Sequence, residues 1–204
     1  MKIAIISDQH GTLPPIPECD LMIVSGDMCG GPDFIDGHWR PDLSNQKWLT
    51  WLKSDFMEWT RQAPFTILVG GNHDTCLEPD IRIEHERLRH LKDSSCEFGG
   101  LCFWGAPWIK QFDALAFNLP EHCLANKWAD IPKADVLVLH GPPFGIGDRV
   151  FGNVSVGSPS LTDAIRRIKP KLVTCGHIHE GRGIYYFHET IVVNSACGFT
   201  EITL

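Results

Sequence analysis

The sequence predicts an α/β fold with a mixed sheet. Three observations carry that prediction: short apolar runs that stop at glycine or polar residues, helical periodicity between them, and neighbouring runs separated by tight-turn residues. The runs are residues 3–7, 21–25, 65–69, 136–139, 172–175 and 191–193, apolar enough for strands covered on both faces. Residues 44–60 place Trp48, Leu52, Phe56 and Trp59 at helical spacing behind Ser44 as N-cap, which predicts an amphipathic helix. Further helices are expected at 79–91 and 121–129. Ser160-Leu161-Thr162-Asp163 has the form of a capping box opening a helix that stops at Lys169-Pro170. Residues 96–104, interrupted by Gly99-Gly100, and the runs around Tyr185 and Val192 read as hairpins, so the sheet should mix parallel and antiparallel pairs. Residues 141–160, rich in Gly, Pro and Ser, predict a long surface loop of the kind that often carries function.

The 204 residues, 43% apolar and 21% charged, suffice for one sizeable core, so a single domain over 1–204 is the expectation. A net charge of -7 leaves no basic stripe for a phosphate backbone, which argues against general nucleic-acid binding. Small anionic substrates remain compatible with that charge if metals reverse it locally. The first apolar stretch is too short for a signal peptide and no segment approaches a membrane span, so a cytoplasmic location without a membrane partner is expected. The eight cysteines (Cys19, Cys29, Cys76, Cys96, Cys102, Cys123, Cys175 and Cys197) show no Cys-x-x-Cys spacing and read as reduced, mostly buried thiols. Nothing in the composition sets an oligomeric state.

Five small motifs come directly after predicted strands, at the edge of an α/β sheet where ligand sites form. Asp8-Gln9-His10 can aim an oxygen and a nitrogen at one ion. Gly26-Asp27 joins a tight turn to a carboxylate with two oxygens, enough to bridge two ions. Gly71-Asn72-His73-Asp74 offers an amide oxygen, an imidazole and a carboxylate at one turn. His140-Gly141-Pro142-Pro143 and Gly176-His177-Ile178-His179 add three imidazoles. A lone histidine at a strand end is more often a hydrogen-bonded structural residue than a ligand. Five such motifs in this order make that reading improbable.

In these motifs the chain resembles the calcineurin-like metallophosphoesterase superfamily. Its text at 45–49, 105–108, 140–143 and 176–181 is similar to the metallophosphoesterase-domain-containing branch. The resemblance implies a four-layer α/β/β/α sandwich of two mixed sheets flanked by helices. It also implies two divalent ions: Asp8, His10 and His179 on one, Asn72, His140 and His177 on the other, and Asp27 bridging them. His73 would stand free of both ions as general acid. Many members carry a second carboxylate in Gly-Asp-x-x-Asp that orients this histidine. Here that position is Gly30, leaving Asp33 or another group to substitute, or His73 less firmly held.

Two divalent ions, less Asp8, Asp27 and a bridging hydroxide, leave the site at about +1, which roughly matches a phosphodiester monoanion. The arginine-bearing Gly-Asp-x-x-Asp-Arg-Gly text of the protein-phosphatase branch is missing. A small-molecule phosphodiester, with cyclic nucleotides as the class the branch implies, is therefore the expected substrate, and the bridging hydroxide the nucleophile. A phosphomonoesterase or protein phosphatase, a nuclease, and a non-catalytic metal-binding interaction module remain the alternatives. Oxygen and nitrogen ligands without thiolate suit manganese, iron or zinc, with manganese favoured. Arg149 and Arg182 flank the motifs as candidate phosphate or base contacts. Trp39, Trp104 and Trp108 are candidates for a pocket wall, while Trp48, Trp51 and Trp59 read as core. His38, His85, His90, His122 and His188 match no motif and read as surface or structural.

Overall fold

A computed structural model describes residues 1–31, 34–35, 38–112 and 115–204, and among 34–35 and 38–39 it describes backbone alone. The readings for Asp33, and for the side chains of His38 and Trp39, fall outside the described residues. Eleven strands build two large sheets. In the first, β1 (Lys2–Ile6), β2 (Leu21–Ser25), β3 (Thr66–Val69) and β4 (Leu88–His90) run parallel, and β11 (Thr200–Thr203) lies antiparallel on the outer edge of β1. In the second, β6 (Leu101–Ala106), β7 (Val136–Leu139), β8 (Leu172–Cys175) and β10 (Thr190–Asn194) run parallel. β5 (Ser94–Phe98) and β9 (Gly183–Phe187) add antiparallel edges through hairpins.

The apolar runs are continuous because both faces of each sheet are covered. Side chains alternate across a strand. Ile3, Ile5, Ile23, Ile67, Val136 and Val138 therefore fill the space between the sheets. Ile6, Met22, Val24 and Leu68 face the helical segment at 41–60, while Leu137, Leu139 and Val173 face α3 (Glu121–Ala129) and α4 (Pro159–Ile168). The result is the expected four-layer α/β/β/α sandwich. The 96–104 hairpin turns at Gly99 and Gly100, both with positive φ, as its two-residue turn requires.

Helical content on the first outer face begins at α1 (Pro41–Trp51), passes through a π-helical turn (Leu52–Phe56) and ends in α2 (Met57–Thr60). Trp48, Leu52, Phe56 and Trp59 form its buried face, as their spacing predicts. Ser44 is not the N-cap: it lies inside α1, buried, and its hydroxyl donates to the Gly31 carbonyl at 3.2 Å. α4 starts earlier than its sequence signature indicates, because Ser158 caps it by accepting from the Leu161 amide. The Ser160 hydroxyl turns instead to Glu121. Its stop at a left-handed Lys169 before Pro170 agrees with expectation.

The helix expected at 79–91 is a correction. Residues 88–90 form β4, and the Thr66 amide donates to the Arg87 carbonyl while the Leu91 amide donates to the Leu68 carbonyl. The free edge of β3 offers a ladder of backbone groups that outcompetes local helical pairing. Within 141–160 the loop contains a short antiparallel pair, Arg149–Val150 with Val154–Ser155. No described helix is long and apolar enough to cross a membrane.

His90 on β4 is buried and its ring accepts from the Ile83 amide, so it is neutral in the fold. Burial, reinforced by the Arg82 and Lys92 charges, pushes its pKa down to about 4. Because the unfolded value is about 6.5, unfolding takes up a proton below that pH. The stability held above about pH 6.5 should thus be lost progressively as pH falls toward about 4. Urea melts of wild type and His90→Asn across that interval check this: the wild type should lose more stability on acidification, and equal losses would contradict the assignment.

Candidate metal centre

All seven proposed ligands and His73 lie just beyond the C-terminal ends of parallel strands: Asp8 and His10 after β1, Asp27 after β2, Asn72 and His73 after β3, His140 after β7, and His177 and His179 after β8. The two sheets meet there directly. Ser25 Oγ donates to Thr174 Oγ1 at 2.8 Å across the interface. The backbone makes abrupt turns at these points, with Asp8, His10, Asp27 and His177 all at left-handed φ values of 57°, 47°, 53° and 66°. Such conformations cost on the order of 1–3 kcal/mol each for non-glycine residues and cluster at functional sites, where surrounding structure enforces them.

Ligand atoms fall within 4.8 Å of one another in three groups among the described residues: Asp8–His10–His179, His10–Asp27–His73 and Asp27–His140–His177. Asn72 Oδ1 lies 3.0 Å from His140 Nε2, which brings Asn72 to the third group. Asp27 belongs to two of these groups, one with His10 and one with His140 and His177, and His10 likewise belongs to two. His73, expected to stand clear of the ions, falls in the same group as His10 and Asp27, so its distinction from a ligand rests on chemistry and not on distance.

The supporting contacts suit metal binding. His140 Nδ1 faces the Ser25 carbonyl at 2.7 Å, which fixes the tautomer with Nε2 turned to Asp27 and Asn72. His10 Nδ1 faces the Cys29 carbonyl at 3.4 Å. A side chain at Gly71 would overlap Asp27 Oδ1 and His140 Nε2, so these donors crowd against bare backbone. The residues present fit two divalent ions.

Charge is concentrated here. Burial works against ionisation of Asp8, yet the His179 hydrogen bond and the His140 charge hold its carboxyl well below the usual carboxylate range. Asp27 is likewise lowered against burial, by His140. Burial opposes the His140 charge, but the Asp27 carboxylate overcomes it and raises the imidazole to about 9. His177 moves the other way, to about 3, through burial and the neighbouring His140 charge. Asp74, a carboxylate the sequence left without a role, is fully buried and braces two motif loops: it accepts from the Cys29 amide and the Gly71 amide, each at 2.8 Å.

His10, Asp27, Asn72, His177 and His179, with His73, line a cavity of about 830 Å³. Its wall includes Trp108, Ile109, Lys110, Gln111 and Phe112, a segment no sequence signal marked apart from Trp108. Phe112 is 68% exposed and meets the His177 ring edge-on at 5.2 Å. Three candidate residues are corrected. Trp104 lies in the core behind the second sheet, packed edge-on against Trp128. Arg182 is taken up by the carbonyls of Ala196 at 2.7 Å and Phe199 at 2.8 Å, where it secures the segment leading to β11. Arg149 does not line the cavity; its guanidinium pairs with Asn153 on the exposed turn.

A two-sheet sandwich with a histidine- and carboxylate-rich centre at its strand ends defines a metallophosphoesterase-type protein. The chain belongs to the calcineurin-like phosphoesterase family, whose model matches residues 1–181. Metallophosphoesterase domain-containing protein 1 of Homo sapiens is 28% identical over 96% of this chain and 65% of its own length. A UPF0046 protein of Caenorhabditis elegans is 39% identical over 90% of this chain and 52% of its own. The chain thus spans between about half and two thirds of the length of these relatives. Among solved structures, TT1561 of Thermus thermophilus shares the fold with a TM-score of 0.61 at 16% identity, covering 95% of this chain and 88% of that one.

Proposed function

We propose that the chain is a metal-dependent phosphoric ester hydrolase that holds two divalent ions and prefers small phosphodiesters, nucleotides among them, over monoesters. In this reading Asp8, His10 and His179 hold one ion, Asn72, His140 and His177 the other, and Asp27 both. Bound divalent ions supply positive charge for the phosphoryl oxygens and allow water to act as nucleophile at neutral pH. Manganese, iron and zinc suit the donor set, manganese first.

The chain's own groups supply the rest. His140 and Asp27 are buried, where contacts between charges are stronger than at the surface. His73 Nδ1 is buried, which leaves Nε2 to deliver a proton to the leaving oxygen. The apolar wall at Trp108, Ile109 and Phe112 suits the organic part of an ester and offers a flat ring face to a base.

The observation that supports diesters is the cation inventory of the cavity: among the described residues, Lys110 is the lysine or arginine that lines it. A monoester dianion calls for additional cationic clamps, whereas a diester monoanion is matched by the metals themselves. Metal-stripped protein reconstituted ion by ion should therefore show higher kcat/KM for bis(p-nitrophenyl) phosphate than for p-nitrophenyl phosphate at neutral pH. The reverse order would sink the diester preference, and no turnover of either with any ion would sink the hydrolase.

A further inference from the structure

We infer that Trp48 is a positioning residue for His73, holding the Gly30-Gly31 backbone against the imidazole and so replacing with packing the hydrogen bond that this ring lacks. The inference rests on the general-acid role proposed for His73.

The His73 main chain is fixed, since its amide donates to Asp27 Oδ1 at 2.7 Å. Its ring is not fixed in the same way. Nδ1 is buried with no hydrogen-bond partner among the described residues, and the torsion that turns an imidazole about its stem has broad minima. What meets the ring is His10, edge-on at 4.7 Å, and the backbone of Gly31. A side chain at Gly31 would overlap His73 Nδ1, and Gly31 sits at φ +85°, so glycine is required there on both counts.

Gly31 is in turn held from behind. Its carbonyl accepts the Trp48 Nε1–H at 2.8 Å and the Ser44 hydroxyl at 3.2 Å. The indole also lies flush on the neighbouring glycines. A Cβ at Gly30 would approach Trp48 Cζ2 to 2.8 Å, and one at Gly11, next to His10, would approach Cη2 to 2.8 Å. One ring from α1 therefore occupies the space into which a side chain at position 30 would project. It touches both loops that flank His73, the one carrying His10 and the one carrying Gly31. Asn45, also on α1, ties the same helix to the loop after His73, accepting from Thr75 Oγ1 at 2.6 Å. Close packing transmits such a constraint because neighbours leave no void for the ring to move into.

Trp48→Phe removes the Nε1–H and thins the wedge, and Ser44→Ala removes only the second hydrogen bond to Gly31. Both are compared with wild type as zinc-loaded protein, with circular dichroism and thermal melts reporting the fold. In Trp48→Phe, kcat for a diester with an alkoxide leaving group should fall roughly tenfold, a fraction of the full general-acid contribution. KM, kcat for an activated aryl diester and the content of two zinc ions should hold. 13C relaxation at His73 Cε1 should report a looser ring, with the His140 ring unchanged. Ser44→Ala should move the same readouts in the same direction and less.

Unchanged leaving-group dependence and unchanged His73 relaxation in folded Trp48→Phe would overturn the inference. If Trp48→Phe does not fold, the same null result in Ser44→Ala overturns it. A His73→Ala variant that leaves the alkoxide-to-aryl ratio untouched would instead overturn the general-acid role, and the relaxation data would still decide whether Trp48 holds the ring.

Discussion

Asp27→Ala should take the reconstituted protein from two ions per chain to none and cut diester hydrolysis by more than the roughly 10² to 10³-fold that one lost electrostatic contact costs. Asp27 is 2% exposed and shares donor groups with His10 on one side and His140 and His177 on the other, so its removal takes a charged oxygen from both. His140 would also be left as a fully buried imidazole whose carboxylate partner, 3.3 Å away, had gone. Alanine further strips the His73 amide of its acceptor, which is why Asp27→Asn belongs beside it: asparagine keeps an oxygen for that amide and removes only the charge. Asn should preserve the fold and still lose the ions. His177→Ala, by contrast, should weaken mainly the ion shared with Asn72 and His140 and leave about one per chain, a loss in line with removal of one ligand among several. Elemental analysis after reconstitution reads all three. Saturation of the wild type at one ion, or equal losses for Asp27→Ala and His177→Ala, would contradict the partition of ligands.

His73→Ala should slow a diester with an alkoxide leaving group by about 10²-fold, the small end of the 10² to 10⁴-fold range for a general acid. An activated aryl diester should be barely affected, because a good leaving group departs without a proton. The small end is expected because Nδ1 has no partner among the described residues to set the tautomer or strengthen the donor. Metal content is the second half of the test, since His73 shares a donor group with His10 and Asp27. Two ions retained with selective loss on the alkoxide ester supports the acid. One ion lost with both esters slowed equally makes His73 a ligand.

Much of this site was legible in the sequence because strand and motif are adjacent in the chain. A run such as 21–25 is apolar on both faces only if both are buried, and the residues just past its end must lie at a sheet edge. Asp8, His10, Asp27, Asn72, His140, His177 and His179 could therefore be assigned to one place from the chain alone, helped by a resemblance that read them in order. The hairpin at Gly99-Gly100 was legible for the same reason: its signal is local. What the sequence did not determine depended on partners far away in the chain. Residues 79–91 carry a helical pattern but form no helix, and 88–90 add an edge strand, because β3 presents unpaired backbone that only the folded sheet brings near. Ser44 reads as a cap and is instead a donor to Gly31; Arg182 reads as an anion contact and is consumed by two carbonyls. Asp74 stood in its motif as a further donor and Trp48 read as core, and the roles they take were not legible, since a carboxylate bracing two loops and an indole filling the space beside Gly30 are identities defined by what surrounds them. The sequence by itself determined which donors gather and at which strand ends. Only the tertiary structure decided what holds those donors still, because that work is done by packing and hydrogen bonds between segments that the chain order keeps apart.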